Sequence, residues 1–395
     1  MIETTATESF PAIRQRSRRQ ARWGLFGLGL LVLAGGCWGD DTPAQPASTT
    51  TTTSYTGQTR EYWIVAEDVL WDYAPSYPIN LITGEPFDDA ANVFVQPGPD
   101  RIGHRYLKAL YREYTSNFRQ RKSHPASLGT LGPVVTAAVG DTIVIHFKNN
   151  AQFPASLHPH GVFYDKANEG APYADGTSGN ATGDDAVPPG GGTRVYTWAV
   201  PERAGPGPND GSSVFWMYHS HTDEVMDTYT GLMGPLVITA AGKARSDGSP
   251  ADIDLSLYTM FLVSDENQSH YLDQNIQLAG DPGSIDPEDE GFIESNLMHS
   301  INGYVYGNLP GLTMRKGDRV RWNVMGMGTE VDLHTPHWHG NTVLFHGLRQ
   351  DVVELLPATT LVADMKPDDP GTWLYHCHVN DHIIAGMMAL YKVNP

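Results

Sequence analysis

Cysteine is scarce in this chain, with only Cys37 and Cys377 among 395 residues. If Cys37 belongs to a leader, Cys377 has no internal disulfide partner. It must then be a reactive thiol, a small buried side chain or a metal ligand. Positive charge is scarce too: 26 Lys and Arg face 45 Asp and Glu, giving a net charge of −19. Such a surface repels nucleic acid and attracts cations, so no nucleic-acid partner is predicted.

The chain also lacks a hydrophobic run long enough to span a bilayer comfortably. Its most apolar segment, Trp23 to Ala34, follows five arginines and leads into LAGGC at Cys37 and a polar tract. This pattern is typical of an export signal, so we predict a signal or lipoprotein-type leader over 1–37 and a disordered tether over 38–59. Lipidation of Cys37 as a membrane anchor, plain cleavage and an uncleaved anchor helix remain alternatives, as do Sec and twin-arginine export. The predicted location is periplasmic, anchored to the cell envelope, or extracellular.

The remaining sequence has the composition of an all-β protein. It contains 41 Gly and 28 Pro, and turn-forming clusters separate short segments of alternating apolar residues such as TIVIHF from Thr142 to Phe147. A polar stretch over 240–252 marks a boundary. We therefore predict two β-sandwich domains, at 60–240 and 253–395.

An internal repeat supports the two-domain prediction. In the first copy, GDTIVIHFKNN (140–150) leads to LHPHG (157–161), FWMYHSH (215–221) and GLMGPLVI (231–238). In the second, GDRVRWNV (317–324) leads to HTPHWHG (334–340), TWLYHCH (372–378) and AGMMALYKV (385–393). Each copy supplies two His-x-His pairs.

Only the second copy has a cysteine between two histidines. His334, Cys377, His382 and Met387 are matched in the first copy by Ala155, Ser220, Val225 and Thr230. Two His, one Cys thiolate and a weak axial Met form the ligand set of electron-transfer copper. In an extended strand, His376 and His378 face the side opposite to Cys377, so one short segment can serve two metal sites.

Eight further histidines, four from each copy, exceed the needs of a structural metal and suit a cluster of three coppers. They are His158, His160, His219, His221, His337, His339, His376 and His378. With the Cys-bound copper, about four one-electron stores result, the number needed to reduce dioxygen fully to water. Zinc is disfavoured, because one Cys among ten His fits no common zinc pattern.

These motifs resemble the multicopper oxidase family over nearly the whole mature chain. HPHGVFYDKANEGAPYADGTSG, DENQSHYLDQNI, ESNLMHSINGYVYGNLPGL and HCHVNDHIIAGM are similar to ceruloplasmin-type domain pairs. The resemblance implies two Greek-key cupredoxin-like domains. It also implies a type 2 copper at His158 and His337, and a type 3 pair at His160, His219, His221, His339, His376 and His378. The type 1 copper belongs to the second domain.

Two domains with one type 1 site resemble small laccases, in which the cluster lies between subunits; the resemblance therefore implies a homotrimer. Tyr164 matches a tyrosine near the cluster in those proteins and is otherwise a core aromatic. Glu169 matches a proton donor of ceruloplasmin and is otherwise a surface carboxylate. Asp184 and Asp185 resemble a calcium-binding pair and otherwise belong to a solvated turn.

The resemblance also extends to an iron substrate site beside the type 1 copper. Glu294, His299, Glu330 and Asp381 match positions of the ferrous-iron site of ceruloplasmin. Carboxylates with one imidazole suit a hard cation that must be released again. The predicted function is oxidation of ferrous iron or phenols coupled to reduction of dioxygen to water.

Two other functions use similar domains. A copper nitrite reductase requires a type 1 set in the first domain, where this chain has Ser220. A non-catalytic copper store or carrier requires no complete cluster, whereas all ten histidines are present here. Both remain alternatives to be separated by copper content, colour and oxygen uptake.

Overall fold

A computed structural model describes residues 57–175 and 183–395. The predicted leader, the lipid anchor at Cys37 and tether residues 38–56 lie outside these ranges. The predicted tether ends one residue too late, because its last residue, Thr59, begins the first strand. Within the described ranges, no helix has the length and apolar composition needed to cross a membrane.

The first half of the described chain contains two four-stranded sheets. Its strands are β1 (Thr59–Asp72), β2 (Arg105–Tyr114), β3 (Val135–Ala138), β4 (Thr142–Asn149), β5 (His158–Pro159), β6 (Gly192–Ala199), β7 (Ser213–His219) and β8 (Met233–Thr239). The sheets have the orders β2-β1-β4-β6 and β3-β8-β7-β5.

The second half contains a six-stranded and a four-stranded sheet. Its strands are β9 (Leu255–Asp265), β10 (Leu297–Ile301), β11 (Thr313–Arg315), β12 (Val320–Gly326), β13 (Pro336–Trp338), β14 (Val343–Phe345), β15 (Leu348–Gln350), β16 (Thr360–Met365), β17 (Gly371–Cys377) and β18 (Met388–Asn394). The orders are β10-β9-β12-β16-β14-β15 and β11-β18-β17-β13. The latter sheet repeats β3-β8-β7-β5, with one parallel and two antiparallel pairings in each. The sequence repeat is thus also a structural repeat.

The helices are short and lie between strands. They are α1 (Asp89–Val95), α2 (Glu224–Thr230), α3 (Leu272–Gln277), α4 (Glu290–Ser295) and α5 (Asn380–Ile384). Helices α2 and α5 occupy matching places, each just after the second His-x-His segment of its half. The side chain of Asp223 caps α2 by accepting a hydrogen bond from the Met226 amide.

Alternating residues build the sandwich cores, and the all-β prediction is confirmed. In β4, Ile143, Ile145 and Phe147 are fully buried while the residues between them are partly exposed. Both sheets of the first half contribute to one core, and both sheets of the second half to another. Burial of each large apolar side chain contributes roughly 1.5–3 kcal/mol to the free energy of folding. Because apolar residues alternate with polar ones, the strand face that carries them turns inward.

The two halves share an apolar interface rich in methionine. Met217 and Met233 from the first half pack in one cluster with Met260, Met325 and Met327 from the second. Flexible thioether side chains fill the irregular gaps between two curved sheets. The positions of the two sets of histidines within one chain are therefore fixed by continuous packing.

Candidate metal centre

One thiol and two imidazoles converge in the second half. Cys377 at the end of β17 places its Sγ atom 3.8 Å from Nδ1 of His334 and 3.4 Å from Nδ1 of His382, and these two nitrogens lie 3.1 Å apart. All three residues are buried. The three donor atoms are close enough to share one metal ion.

The surroundings favour the thiolate form of Cys377. Burial by itself raises the pKa of this thiol, but hydrogen bonds with His334 and His382 and from backbone amides outweigh it, and the pKa is lowered to about 6. The Thr335 amide donates one of these bonds to Sγ at 3.4 Å. A thiolate at neutral pH is the form that binds copper.

Asp332 orients His334 and was missed in the sequence. Its carboxylate is fully buried and accepts a hydrogen bond from His334 Nε2 at 3.2 Å, which directs Nδ1 towards Cys377. The same carboxylate accepts from the Val263 amide at 2.7 Å. The spacing in DLH offered a signal, since residues two apart share one side of an extended segment.

Met387 lies in the same core cluster as Cys377 and is fully buried. Its amide donates to the His382 carbonyl at 2.8 Å, and its carbonyl accepts from the Cys377 amide at 3.2 Å. The short loop from α5 to β18 is thereby tied to β17. The predicted axial role of the Met387 sulfur stays a prediction.

A second group of imidazoles, the second quartet, consists of His337, His339, His376 and His378. His376 Nε2 lies 3.1 Å from His337 Nδ1 and 3.0 Å from His339 Nε2. His378 is exposed, and its ring centroid lies 5.3 Å from that of His337. This convergence depends on β17 pairing with β13, because their register sets His376 opposite His337.

The first half carries the equivalent first quartet of His158, His160, His219 and His221. Nε2 of His160 lies 3.1 Å from Nε2 of His219, and the His221 ring lies 5.1 Å from that of His158. The register of β5 and β7 sets His158 opposite His219, as in the second half.

Backbone carbonyls orient the leading imidazole of each pair on β7 and β17. His219 Nδ1 donates to the Ser220 carbonyl at 2.9 Å, and His376 Nδ1 donates to the Cys377 carbonyl at 2.7 Å. His158 Nδ1 likewise donates to the Glu169 carbonyl at 2.7 Å. In each case Nε2 is left free to bind a metal, the usual arrangement for histidine ligands.

Burial favours the neutral form of His160, His219 and His376. It lowers the pKa of His160 to about 4 and that of His219 to about 3, with a further contribution from neighbouring rings. Burial also lowers the pKa of His376 to about 4. The neutral imidazole is the form that coordinates metal ions at physiological pH.

Comparisons with known proteins place the chain in a family. Two family descriptions, both "multicopper oxidase", match residues 126–243 and 286–395. Hephaestin of Homo sapiens is 46% identical over 343 residues, which cover 85% of this chain and 29% of hephaestin. The chain belongs to the multicopper oxidase family.

Two further relatives give the same result. Ferroxidase HEPHL1 of Homo sapiens is 46% identical over 85% of this chain and 29% of its own length. Ceruloplasmin of Homo sapiens is 41% identical over 86% of this chain and 31% of its own length. The chain thus spans about three tenths of the length of these relatives.

Solved structures confirm the fold. A multicopper oxidase structure superposes with a TM-score of 0.54 at 17% identity, covering 85% of this chain and 89% of its own. A blue copper oxidase from Nitrosomonas europaea gives a TM-score of 0.51 at 18% identity, covering 85% and 86%. The cupredoxin-like sandwiches predicted from the sequence are therefore confirmed.

Family membership implies copper, and the donor atoms fit it. Neutral imidazoles and one thiolate are the ligands that copper prefers over hard oxygen donors. The set of His334, Cys377 and His382 matches the trigonal arrangement of electron-transfer copper in its donors and its burial. The two quartets offer imidazole nitrogen alone.

The two quartets lie apart from each other in the described part of the chain. In the described part of the molecule, the rings of the first quartet contact one another, as do those of the second, but no ring contact joins the two. The potential metal-binding groups are correspondingly separate. Each quartet is only partly buried.

Tyr164 and Glu169 both lie close to the first quartet. The Tyr164 ring is 5.7 Å from that of His158, and it also packs against the core of the first half. The Glu169 carboxylate pairs with Lys166 and accepts a hydrogen bond from the Tyr173 hydroxyl at 3.0 Å. The predicted catalytic roles of Tyr164 and Glu169 stay predictions.

Of the four predicted iron ligands, His299 lies beside His382, a predicted type 1 ligand. Its ring lies 5.3 Å from that of His382, and burial, together with His382, lowers its pKa to about 4. Asp381 directly precedes His382 in α5 and is exposed. Glu294, in α4, and Glu330 are also exposed.

Asp184 and Asp185 are buried, so the solvated-turn interpretation of these two residues is wrong. The backbone amide of Gly170 donates to Asp184 Oδ2 at 3.1 Å, while Asp184 Oδ1 has no hydrogen-bond partner among residues 57–175 and 183–395. A buried carboxylate oxygen without a partner is costly unless a cation or water satisfies it. Calcium therefore stays a candidate ligand here.

Proposed function

We propose that this multicopper oxidase couples one-electron oxidation of a reducing substrate, ferrous iron or a phenol, to reduction of dioxygen to water. The arrangement at the end of β17 carries the proposal. Cys377 is buried against His334 and His382, while His376, its neighbour, lies among the imidazoles of the second quartet. Two metal sites are thus joined by one peptide unit.

Copper bound at these sites would supply one-electron transfer and the reduction of dioxygen. The chain itself supplies the connection, because the Cys377 side chain and the His376 ring share a covalent backbone. Asp332 and the carbonyls of Cys377 and Ser220 hold the imidazoles in one tautomer and orientation. Burial excludes water from the thiolate and limits side reactions.

We assign the ligands in three sets and the chain in two domains, at 60–240 and 253–395. The type 1 set is His334, Cys377, His382 and Met387. The type 2 set is His158 and His337, and the type 3 set is His160, His219, His221, His339, His376 and His378. About four coppers per chain follow from these sets.

Because the quartets are separate within the chain, we propose that they meet between copies in a homotrimer. Each quartet is partly exposed, so its imidazoles are accessible to a quartet of another copy. The first half of one copy would contact the second half of the next. Such head-to-tail contacts form a closed ring when the rotation that relates neighbouring copies returns to the first copy.

Tyr164 and Glu169 are proposed to serve the dioxygen site. Tyr164 contacts the ring of His158 and could provide an electron or proton from its phenol. Glu169 is linked to the same histidine through its backbone carbonyl, and its carboxylate could relay a proton through Lys166 and Tyr173.

Ferrous iron is the proposed first substrate, with phenols second. A relative named as a ferroxidase shares 46% identity over 85% of this chain. His299 adjoins the type 1 ligand His382, and the exposed carboxylates of Glu294 and Asp381 lie on the helices that flank this region. Carboxylates attract a hard cation and favour its more highly charged oxidised form.

Replacing both Glu294 and Asp381 by Ala is expected to raise the KM for ferrous iron about tenfold or more, which corresponds to about 1.4 kcal/mol of lost cation binding. Phenol oxidation should change little, because a neutral substrate needs no carboxylate ligand. Steady-state oxygen uptake with each substrate measures the two effects.

The double replacement of Asp286 and Glu288 by Ala is the matched control for this experiment. These two acidic residues lie on the exposed loop before α4. Their replacement removes the same amount of negative charge as the replacement of Glu294 and Asp381. They should leave the KM for iron within about twofold, since screened surface charges contribute little at physiological salt. Equal losses for iron and phenol, or equal losses in both double variants, would contradict the iron site.

Export of the chain, with or without a lipid on Cys37, and calcium at Asp184 and Asp185 complete the proposal. The unpartnered oxygen of Asp184 supports the calcium site, since carboxylates are the ligands that calcium prefers. Export is supported by the basic and apolar segments before Cys37.

Copper analysis, absorption spectroscopy and oxygen uptake on the purified protein test the proposed function. We expect about four coppers per chain, an intense blue band from the Cys-copper bond, and oxygen consumption that depends on the reductant. A colourless protein with about one copper and no oxygen uptake would exclude it. A blue protein with copper but no uptake would instead indicate an electron carrier or copper store.

A further inference from the structure

Ser220 occupies, in the first half, the position that Cys377 occupies in the second. It lies between His219 and His221 and is fully buried. Cys377 lies against two imidazoles, whereas Ser220 lies against a carboxylate. The Ser220 hydroxyl donates a hydrogen bond to Asp227 Oδ2 at 2.6 Å. Asp227, in α2, is itself fully buried.

The second oxygen of this buried carboxylate is bound by His270. His270 Nε2 donates to Asp227 Oδ1 at 2.8 Å, and the imidazole stacks on Phe153 with a centroid distance of 3.7 Å and an interplanar angle of 15°. The His270 amide also donates to Thr230 Oγ1 at 2.9 Å, at the end of α2. His270 belongs to the second half of the chain, just after β9, so it reaches across the interface between the halves.

Hydrogen bonds through Ser220 and Ser156 connect the two chain segments that carry the first quartet. The Ser156 amide donates to the Ser220 hydroxyl at 3.0 Å, and the His221 amide donates to the Ser156 hydroxyl at 3.0 Å. Ser156 is two residues before His158. The segment that carries His158 is thereby fastened to the segment that carries His219 and His221.

We propose that Asp227 and His270 are positioning residues for the metal ligands of the first quartet. Asp227 fixes the Ser220 hydroxyl by a hydrogen bond, and His270 fixes Asp227 in turn. In the second half, His334 and His382 contact Cys377 at the corresponding position. A buried hydrogen bond to a charged acceptor is stronger and more directional than a neutral one, which suits this role. The inference rests on the proposed copper assignment of the quartets.

His270→Phe tests the proposal while keeping an aromatic ring against Phe153. We expect the apparent affinity of the quartets for copper, measured by competition with a chelator, to fall about tenfold to a hundredfold. The paramagnetic resonance signal of the type 2 copper should change as well. The blue band of the type 1 site should persist at full intensity, because its ligands lie in the second half.

Two further variants separate positioning from general stability. His270→Gln restores an N–H donor, so part of the lost copper affinity should return. Asp68→Asn removes the carboxylate that accepts from the neighbouring Tyr271 hydroxyl. It should leave the affinity unchanged, because the Asp68 side chain is hydrogen-bonded to Gln152 and Tyr271 rather than to Ser220 or Asp227.

The outcomes are distinct. If copper binding by the quartets in His270→Phe equals that of the wild type, or if the blue band is lost in parallel, the positioning role is overturned and the proposed function stands. A wild-type chain that binds no copper overturns the proposed function, and this role with it.

Discussion

Replacing Cys377 by Ser is expected to abolish both the blue colour and substrate oxidation. In the proposed assignment, the Cys377 thiolate is the sulfur donor of the type 1 set, and the covalent connection to His376 begins at this residue. A hydroxyl has neither the softness to bind copper in this way nor a pKa that yields an anion at neutral pH. Absorption spectroscopy and oxygen uptake with ferrous iron measure the two losses.

The coppers proposed for the two quartets should remain in this variant, because the imidazoles of the quartets are unchanged. Placing a hydroxyl in a fully buried position costs on the order of 1–3 kcal/mol, so thermal unfolding must accompany the assay. Met388→Leu, a substitution beside the proposed axial ligand, is the control and should keep both colour and rate. Oxidation at the wild-type rate by the Ser variant would show that electrons are accepted elsewhere.

Mixing two inactive chains is expected to restore activity. His160→Ala disables every first quartet, and His339→Ala disables every second quartet, so each proposed homotrimer should lack a complete dioxygen site. When the two chains are co-expressed in equal amounts, an intact first quartet meets an intact second quartet in about a quarter of the sites, as random assembly of a closed ring requires. Oxygen uptake per chain should therefore recover to about a quarter of the wild-type value.

A pair of variants within one quartet provides the matched control. His160→Ala co-expressed with His219→Ala should recover no activity, because every first quartet in the mixture is damaged. Light scattering shows whether the mixed species has the mass of a trimer. If His160→Ala and His339→Ala together stay as inactive as either alone, or if a monomer is active, the shared site is wrong.

The sequence was sufficient for the alternation of the strands and for the pairing of neighbouring side chains on opposite faces. Alternation in β4 identified Ile143, Ile145 and Phe147 as the buried face, and the structure agrees. The same period of two placed Cys377 opposite His376, and the contacts of the two side chains differ accordingly. Such local patterns are legible because neighbouring residues on a strand have a fixed geometry.

The supporting residues could not be predicted in the same way. His270 is 43 residues from Asp227, and nothing in the spacing connects the two. In the sequence analysis, His270 has no role, since a single histidine carries no pattern. Asp332 was overlooked although it lies two residues before His334, because an acid in so acidic a chain is unremarkable.

By itself, the sequence determined the repeat, the alternation of the strands and the identity of ten imidazoles and one thiol, since these depend on residue type and local spacing. Tertiary structure alone decided which donors converge. The registers of β5 with β7 and of β13 with β17 bring residues more than 35 positions apart to hydrogen-bonding distance. The packing between the halves then keeps the two quartets apart within one chain. Strand register and domain packing arise from the sum of many weak contacts over the whole molecule, which no local pattern encodes.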